Sequence, residues 1–400
     1  MTTESRQPNA RRRVLASLGA GLLGGALGAG ACANAWAASG ASPARHAPRL
    51  ETVATFGDDF RLVGIGVSRQ GRVFATAPAS VKRSRYSMVE VDASSGALTP
   101  FPDESWNVYK PDQDGSQQWI SVQALWVDEQ DHLWALDSSL PSVDQSRQPP
   151  KLVEFDLAAR KIVRQFDYGK LVTPKDSLND IRVDLKHGYA YLSNAGNQGG
   201  VVATNLQSGE SRLLLAGDRS SVADPNEHLM FGERIARKLD GSVLVLQTDG
   251  IALSPDRQWL YARPLTDHHY WRIPTAALID TSLSAQQLSQ QVQYLGDGAL
   301  TGGLIMSGAG ELYGGDLEKR TVVAFDVVER GGKPGLVEKT FVGKHPQLSW
   351  ADGFAIQNGY LYIADSHLHE LNFSNGYPRE GKFAIFRVRL PQQPAGSLAG

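Results

Sequence analysis

Hydrophobic and polar residues alternate with period two along most of the chain, and the alternation comes in six similar groups. In each group an apolar strand is followed by a turn and a second strand with an aromatic residue near its middle. The pairs are VGIGV with GRVFATAP, QALWV with HLWALDSS, NDIRV with GYAYLSNAG, DGIAL with QWLYARPL, GGLIM with GELYGGDL, and DGFAI with GYLYIADS. Repeats of strands spaced in this way indicate a radial array of small sheets.

Each group continues with a third strand, and five groups have a fourth, outer strand. The sixth group ends near Leu390 without one, whereas a surplus strand, LETVATFGDD, stands before the first group. Pairing these two would close the ring and cover an exposed sheet edge. The sequence therefore predicts an all-β fold, a six-bladed β-propeller over residues 50–390, closed by an N-terminal outer strand. Residues 391–400 are predicted to be a C-terminal tail.

The longest insertion runs from about Ser211 to Leu246 and is polar and rich in turns. A long loop in a compact domain is a lid, a binding loop or a solvated excursion. The composition favours the solvated excursion.

The first 37 residues have the pattern of an export signal. Arg11-Arg12-Arg13-Val14-Leu15 fits the twin-arginine motif, and an apolar Gly/Ala/Leu stretch with small residues at candidate cleavage sites follows. We predict a twin-arginine signal peptide over residues 1–37, an exposed linker over 38–49, and a mature protein in the periplasm or the medium. Lipidation of Cys32 is a minor alternative.

Composition excludes several classes of function. Cys32 is the only cysteine, so the mature domain has no disulfide or thiolate chemistry. The net charge is -2 and no basic run occurs, which argues against nucleic-acid binding. No segment approaches the roughly 20 apolar residues of a membrane span, and no nucleotide or organic cofactor is indicated. We expect a monomer.

Phrases along nearly all of the mature chain resemble the yellow and major royal jelly protein family. They include SRYSMVEVD, LWALDSS, PPKLVEFDL, LNDIRVD, DGIALSPDRQWLYARPL, YWRIPTAALID and LYIADSHLHEL. The resemblance implies a six-bladed propeller and roles that differ among members: conversion of dopachrome, binding of biogenic amines, and nutrition. The disulfide cysteines of insect members are absent, and Pro78-Ala79 stands where the family has proline-arginine.

One register of the innermost strands forms a ring around the central channel of a propeller. The ring contains the carboxylates of Asp249 and Asp352 and the side-chain amides of Asn179 and Gln123. Such oxygen donors suit Ca²⁺ or Mg²⁺ better than zinc. Alternatively, these residues form turns and satisfy backbone donors. The ring consists of Val63, Gln123, Asn179, Asp249, Gly302 and Asp352.

The phrases LNDIRVD, TDGIALSPD and ADGFAI also resemble, more distantly, the gluconolactonase and senescence marker protein family. That resemblance implies that Asn179, Asp249 and Asp352 hold a divalent ion that activates water on a sugar lactone. Val63 stands where that family has a glutamate. Loss of one carboxylate should weaken the binding of the ion.

A second set of polar residues follows the second strands, on loops that commonly carry function. Trp350 and Tyr261 are candidates to stack on an aromatic or amine ligand, although buried core aromatics are the alternative. The histidines are candidate ligand contacts or ordinary hydrogen-bonded residues. The set comprises Asp137, Asn194, His268, His269, Tyr270, Asp316, Asp365 and His367. The predicted ligand-binding residues are Gln123, Asn179, Asp249, Asp352, Tyr261, His268, Trp350 and His367.

Two functions remain. The first is an exported propeller that binds, and in one version tautomerises, a small aromatic or amine ligand at the channel mouth. The alternative is a sugar-lactone hydrolase that depends on a divalent metal. The mature chain contains no GxSxG, HExxH or phosphate-loop motif, so serine hydrolysis, zinc proteolysis and phosphoryl transfer have no support. Catalytic residues are not identifiable from the sequence.

Overall fold

The computed structural model describes residues 48–79, 83–110, 114–139, 148–371 and 382–391. Within them the chain forms six four-stranded antiparallel sheets and one two-stranded sheet. The predicted all-β, six-bladed propeller is confirmed. The predicted signal peptide over residues 1–37, Cys32, and almost all of the linker and tail lie outside the described residues.

Blades 1 to 6 are numbered in chain order; blades 1 to 5 are simple four-stranded meanders, and blade 6 has three consecutive strands and the N-terminal strand. The innermost strands are β2 (Ile65–Val67), β6 (Val122–Val127), β10 (Leu178–Asp184), β16 (Thr248–Leu253), β20 (Thr301–Met306) and β24 (Ala351–Gln357). The second strands are β3 (Val73–Thr76), β7 (His132–Asp137), β11 (Tyr189–Asn194), β17 (Trp259–Pro264), β21 (Glu311–Asp316) and β25 (Tyr360–Asp365). The third strands are β4 (Met88–Val91), β8 (Lys151–Asp156), β12 (Val201–Asn205), β18 (His269–Pro274), β22 (Thr321–Arg330) and β26 (Phe383–Arg389). The outer strands are β5 (Leu98–Pro100), β9 (Lys161–Asp167), β13 (Ser211–Leu214), β19 (Gln293–Asp297), β23 (Lys333–Val342) and β1 (Leu50–Phe56).

The N-terminal strand closes the ring as predicted. Strand β1 pairs antiparallel with β26, from Leu50 opposite Val388 to Phe56 opposite Phe383. Glu51 also accepts a hydrogen bond of 2.9 Å from Arg387 Nε across this pair. The sixth blade therefore takes its outer strand from the beginning of the domain, and its edge is covered.

The aromatic residue in the middle of each second strand is a core residue. Each of these side chains is at most 6% exposed, and each lies in a different apolar cluster. Large apolar side chains at one register of every blade thus provide the core of the ring. They are Phe74, Trp134, Tyr191, Tyr261, Tyr313 and Tyr362.

Small residues let the innermost strands approach one another closely. A Cβ on Gly303 would lie 2.1 Å from the carbonyl oxygen of Asp352, and one on Gly250 would lie 2.1 Å from that of Gly302. In blades 2 to 6 the innermost strand also has a register shift near its first residues. A bulge of this kind redirects side chains locally, here at the channel.

The insertion before β16 is not a solvated excursion, so that prediction is wrong. It carries the hairpin β14 (Met230–Phe231) and β15 (Arg234–Ile235). Four of its residues pack in one cluster with side chains of blades 4 to 6: Leu229, Phe231, Ala236 and Leu244 against Leu265, Leu300, Leu317 and Trp350. Apolar burial therefore holds the insertion on the propeller.

Within the described residues, helices are few and short. Helices α1 (Thr275–Ile279) and α2 (Ala285–Gln291) join β18 to β19, α3 (Leu368–Leu371) follows β25, and a single 3-10 turn covers Ser105–Asn107. In the part of the chain that the structure describes, no helix is long and apolar enough to cross a membrane.

Candidate ligand site in the central channel

A small polar cavity of about 40 Å³ lies where the six innermost strands meet. Its apolar wall is made by Ile65, Leu125, Leu304 and Phe354. The structure thus brings together four of the eight predicted ligand-binding residues. The polar side chains that line the cavity are Gln123, Asn179, Asp180, Arg182, Asp249 and Asp352.

Asn179 and Asp249 contact each other directly. Asn179 Nδ2 donates a hydrogen bond of 3.1 Å to Asp249 Oδ2. Asp249 is 4% exposed. The contact joins blades 3 and 4 and fixes one side of the ring.

Asp180 is a channel residue that the sequence analysis missed. Its carboxylate accepts hydrogen bonds of 2.8 Å from the Ile181 backbone and 2.7 Å from Arg182 Nη1. A third bond of 3.3 Å comes from the backbone of Ile251 in blade 4. The polar pattern Asn-Asp-Ile-Arg in an innermost strand is the signal that could have identified it.

Arg182, also missed, extends across the channel. Its guanidinium donates to the Ile181 carbonyl and, through Nη2, to the Leu304 carbonyl in blade 5. It lies 4.9 Å from the ring centroid of Trp126 in blade 2. With Arg182 only 3% exposed, one permanent positive charge is built into the cavity wall.

The channel carboxyls are destabilised as anions. Burial, followed by the charges of Asp352 and Asp180, raises the pKa of Asp249 well above its usual value, against the opposing effect of Arg263. Burial raises the pKa of Asp352 to about 7, with further contributions from Asp180 and Asp365 and an opposing hydrogen bond from Trp350. Burial also raises the pKa of Asp180, although Arg182 opposes it. Carboxylates that raise one another's pKa favour the binding of a cation.

The polar residues at the ends of the second strands have a structural role. Asp137 accepts hydrogen bonds of 2.8 Å from the backbone N–H groups of Ile120 and Ser121, just before β6. Asn194 and Asp365 do the same for Ser177 and Ser349. Asp316 differs, because it caps the loop that follows it, at Glu318 and Lys319.

The predicted histidines lie away from the cavity. His268 Nδ1 is 2.7 Å from Glu227 Oε2 of the insertion, and its Nε2 is 3.5 Å from Glu318 Oε2. These acidic partners outweigh burial and raise the pKa of His268 to about 9. His367 is buried between Asp365 and Glu370, at 3.3 and 3.0 Å.

The two predicted aromatic contacts are also elsewhere. Tyr261 is the blade 4 copy of the repeated core aromatic, and Trp350 packs against the insertion. Neither lines the cavity, so the prediction that they stack on a channel ligand is not supported. The aromatic residue of the cavity wall is Phe354.

Outside the channel, two groups of acidic and histidine side chains among the described residues could hold a metal ion. They are Asp128, His132 and Glu154, and Asp224, Glu227 and His269, each with ligand atoms within 4.8 Å of one another. The first is internally bonded, because Trp134 Nε1 donates to Asp128 and Arg164 pairs with Glu154. The second joins the insertion to blade 4. The sequence analysis identified neither, since their members are far apart in the chain or lie in the insertion.

Fold and site together define a six-bladed β-propeller with a polar site in its channel. The sequence model of the major royal jelly protein family matches residues 120–398, more than half of the chain. The chain therefore belongs to the major royal jelly protein family.

Two relatives from Apis mellifera show how far this chain has diverged in sequence from curated members of the family. Major royal jelly protein 6 is 26% identical over 217 residues, 50% of this chain and 44% of the relative. Major royal jelly protein 3 is 29% identical over 213 residues, 50% of this chain and 35% of the relative. The alignments thus span less than half the length of either relative.

Among solved structures, a luciferin-regenerating enzyme superposes with a TM-score of 0.52 at 10% identity, covering 86% of this chain and 95% of that one. This similarity shows the fold alone. A gluconolactonase from Xanthomonas campestris gives 0.48 at 14% identity, over 86% and 90% of the chains, which is too low to support an inference.

Proposed function

We propose that the central channel binds the cationic group of a small aromatic or amine ligand. The supporting observation is the cavity itself, whose wall carries the three carboxyls of Asp180, Asp249 and Asp352 and one guanidinium, that of Arg182. Ionised carboxylates in a buried site are stabilised by an additional cation. The family resemblance, which implies amine binding by some members, agrees with this chemistry.

The size of the cavity decides how such a ligand would lie. A volume of about 40 Å³ accommodates a few water molecules or one ammonium group, whereas an aromatic ring is several times larger. The ring of the ligand would therefore lie outside the cavity, at the channel mouth. Because the pKa of Asp352 is about 7, this carboxyl could also give or take a proton at neutral pH, as tautomerisation requires.

Binding of amines tests the proposal. Calorimetry with dopamine and tyramine as probes should show saturable binding to the wild type and at least tenfold weaker binding to Asp249→Asn. Asp326→Asn is the matched control, because Asp326 is an exposed carboxylate on β22. Equal affinity in wild type and Asp249→Asn, or no binding of either amine, would contradict the proposal.

A metal-dependent lactone hydrolase is the second candidate. Its support is that Asn179, Asp249 and Asp352 offer an amide and two carboxylates to one cavity, which fits the oxygen preference of Ca²⁺ or Mg²⁺. When bound, such an ion would polarise the lactone carbonyl and lower the pKa of its water. Val63 adds no carboxylate, and Arg182 adds a positive charge. Efficient lactone hydrolysis that is lost both in Asp249→Asn and on chelation would place this function first.

We also propose that the protein is exported through the twin-arginine route, on the motif at residues 11–15. Replacing Arg11 and Arg12 by lysine should leave the precursor in the cytoplasm. Continued export of that variant would contradict export by the twin-arginine route. If the wild type stays attached to the membrane through Cys32, lipidation is favoured.

A further inference from the structure

One register of the innermost strands carries two large side chains, and they belong to neighbouring blades. The innermost-strand residues that pair with the repeated core aromatics are Gly66, Trp126, Arg182, Ala252, Ile305 and Ala355. Four of the six blades have a small or aliphatic residue there. Trp126 and Arg182, from neighbouring blades, are the exceptions, and their side chains stack at 4.9 Å.

Arg182 is held in one position. Its Nη1 is 2.7 Å from Asp180 Oδ1, and its Nη2 reaches the carbonyl of Leu304 on the other side of the channel. An arginine stays protonated at any physiological pH. The cavity wall therefore carries a fixed positive charge beside the carboxylate of Asp180, whatever else the cavity binds.

This fixed charge changes what the ring can accept. Three carboxylates and one guanidinium line the cavity, so the guanidinium offsets one of the three negative charges. A monovalent cation meets less repulsion from this guanidinium than a divalent ion does. A divalent ion would bring two charges close to the guanidinium, where the low dielectric makes repulsion strong.

We infer that Arg182 is the specificity-determining residue of the channel, which makes it a site for a monovalent ammonium group and excludes divalent metal ions. The inference rests on the proposed function, since it concerns the same cavity. Removal of Arg182 should convert the ring into a divalent-cation site. Asp180 would then be available as a fourth oxygen ligand beside Asn179, Asp249 and Asp352, and added carboxylate charge raises affinity for Ca²⁺.

Calcium chloride alone is the probe, measured by calorimetry and by the Ca²⁺-dependent shift in melting temperature. We expect at least tenfold tighter Ca²⁺ binding in Arg182→Met than in wild type. Arg182→Lys is the matched control, because it keeps the charge and should gain no affinity. Adding Asp249→Asn to Arg182→Met should remove the gain, which separates the channel from the group formed by Asp224, Glu227 and His269.

Arg182→Met leaves Asp180 buried without its partner and could fail to fold, so Asp180→Asn/Arg182→Met is a second variant. It removes both charges, and its Ca²⁺ affinity should lie between those of wild type and Arg182→Met. Three results would overturn the inference: tight Ca²⁺ binding to wild type that Asp249→Asn abolishes, no gain in either methionine variant, or an equal gain in Arg182→Lys. A gain of Ca²⁺ binding without any amine binding would reject the proposed function and the ammonium part of the inference, and would support only the exclusion of divalent ions by Arg182.

Discussion

The propeller has two sets of buried acidic side chains with opposite surroundings. At the ends of the second strands, Asp137 and Asp365 accept hydrogen bonds from the backbone that leads into the innermost strand. In the channel, Asp249 accepts from the side chain of Asn179, and burial together with the nearby carboxyls of Asp352 and Asp180 raises its pKa. The first set stabilises the ring, whereas the second set is costly unless it is protonated or meets a cation.

The difference shows that residue type alone does not mark a binding site. An aspartate that receives two or three N–H donors and faces no other carboxyl in a cavity is satisfied by the fold. An aspartate that faces other carboxyls in a cavity keeps binding capacity for a ligand. Variants that exchange or remove these carboxyls should therefore affect stability in one set and pH dependence or ligand binding in the other.

The largest effect is expected at Asp137. Its Oδ2 is also 2.9 Å from Lys151 Nζ, and both side chains are almost fully buried. Asp137→Ala removes the carboxylate partner of a buried ammonium and the acceptor of three backbone N–H groups, and should lower the free energy of unfolding by about 3–5 kcal/mol. Urea denaturation measures it. Asp137→Asn, which keeps an acceptor, should lose less, and equal losses would show that the hydrogen bonds contribute little.

Replacing Asp352 in the channel should raise stability at alkaline pH, whereas replacing Asp137 lowers it. Its pKa is raised from 3.8 to about 7, so between these values the folded state holds a proton that the unfolded state releases. The wild type therefore loses stability as pH rises from about 4 to 7. Asp352→Asn should remove this loss and be more stable than wild type by about 1–2 kcal/mol at pH 8, with little difference at pH 4. Thermal unfolding across this pH range would show it, and parallel profiles would contradict it.

The smallest effect concerns His268, which joins the insertion to blades 4 and 5. Its pKa is raised from 6.5 to about 9, so its contribution is complete below pH 6.5 and is lost as pH rises through 9. Because the side chain is about one-third exposed, solvent screening makes the contribution small. His268→Gln should flatten the stability profile between pH 6.5 and 9 by a degree or two at most, on the order of a surface ion pair. A profile that keeps its full slope would assign the titration to another group.

Much of the fold was predictable, because each repeat consists of strands with period-two hydrophobic alternation that are separated by turn residues. The core aromatics, the six blades and the closing strand all follow from local pattern. The register of Gln123, Asn179, Asp249 and Asp352 also placed these residues correctly in the channel.

Asp180 and Arg182 show where such reasoning ends. Regular alternation from Asn179 would place Ile181 in the channel and Asp180 on the opposite face. The register shift between Leu178 and Ile181 changes this, so that Ile181 is buried in a core cluster while Asp180 and Arg182 line the cavity. Bulges depend on how neighbouring strands meet, and that information is not local. The packing of the insertion on Trp350 was also missed, because it is a contact between residues far apart in the sequence.

The pairing of β1 with β26 has a consequence for how the molecule is made. Leu50 is synthesised about 340 residues before its partner Val388, a separation of nearly the whole domain. Until synthesis is complete, this strand has no native neighbour, and the sixth sheet keeps an edge that can pair with another chain. The ribosome therefore makes the closing strand β1 first and its partner β26 last. A chain truncated after any earlier blade would lack β26, and its ring could not close.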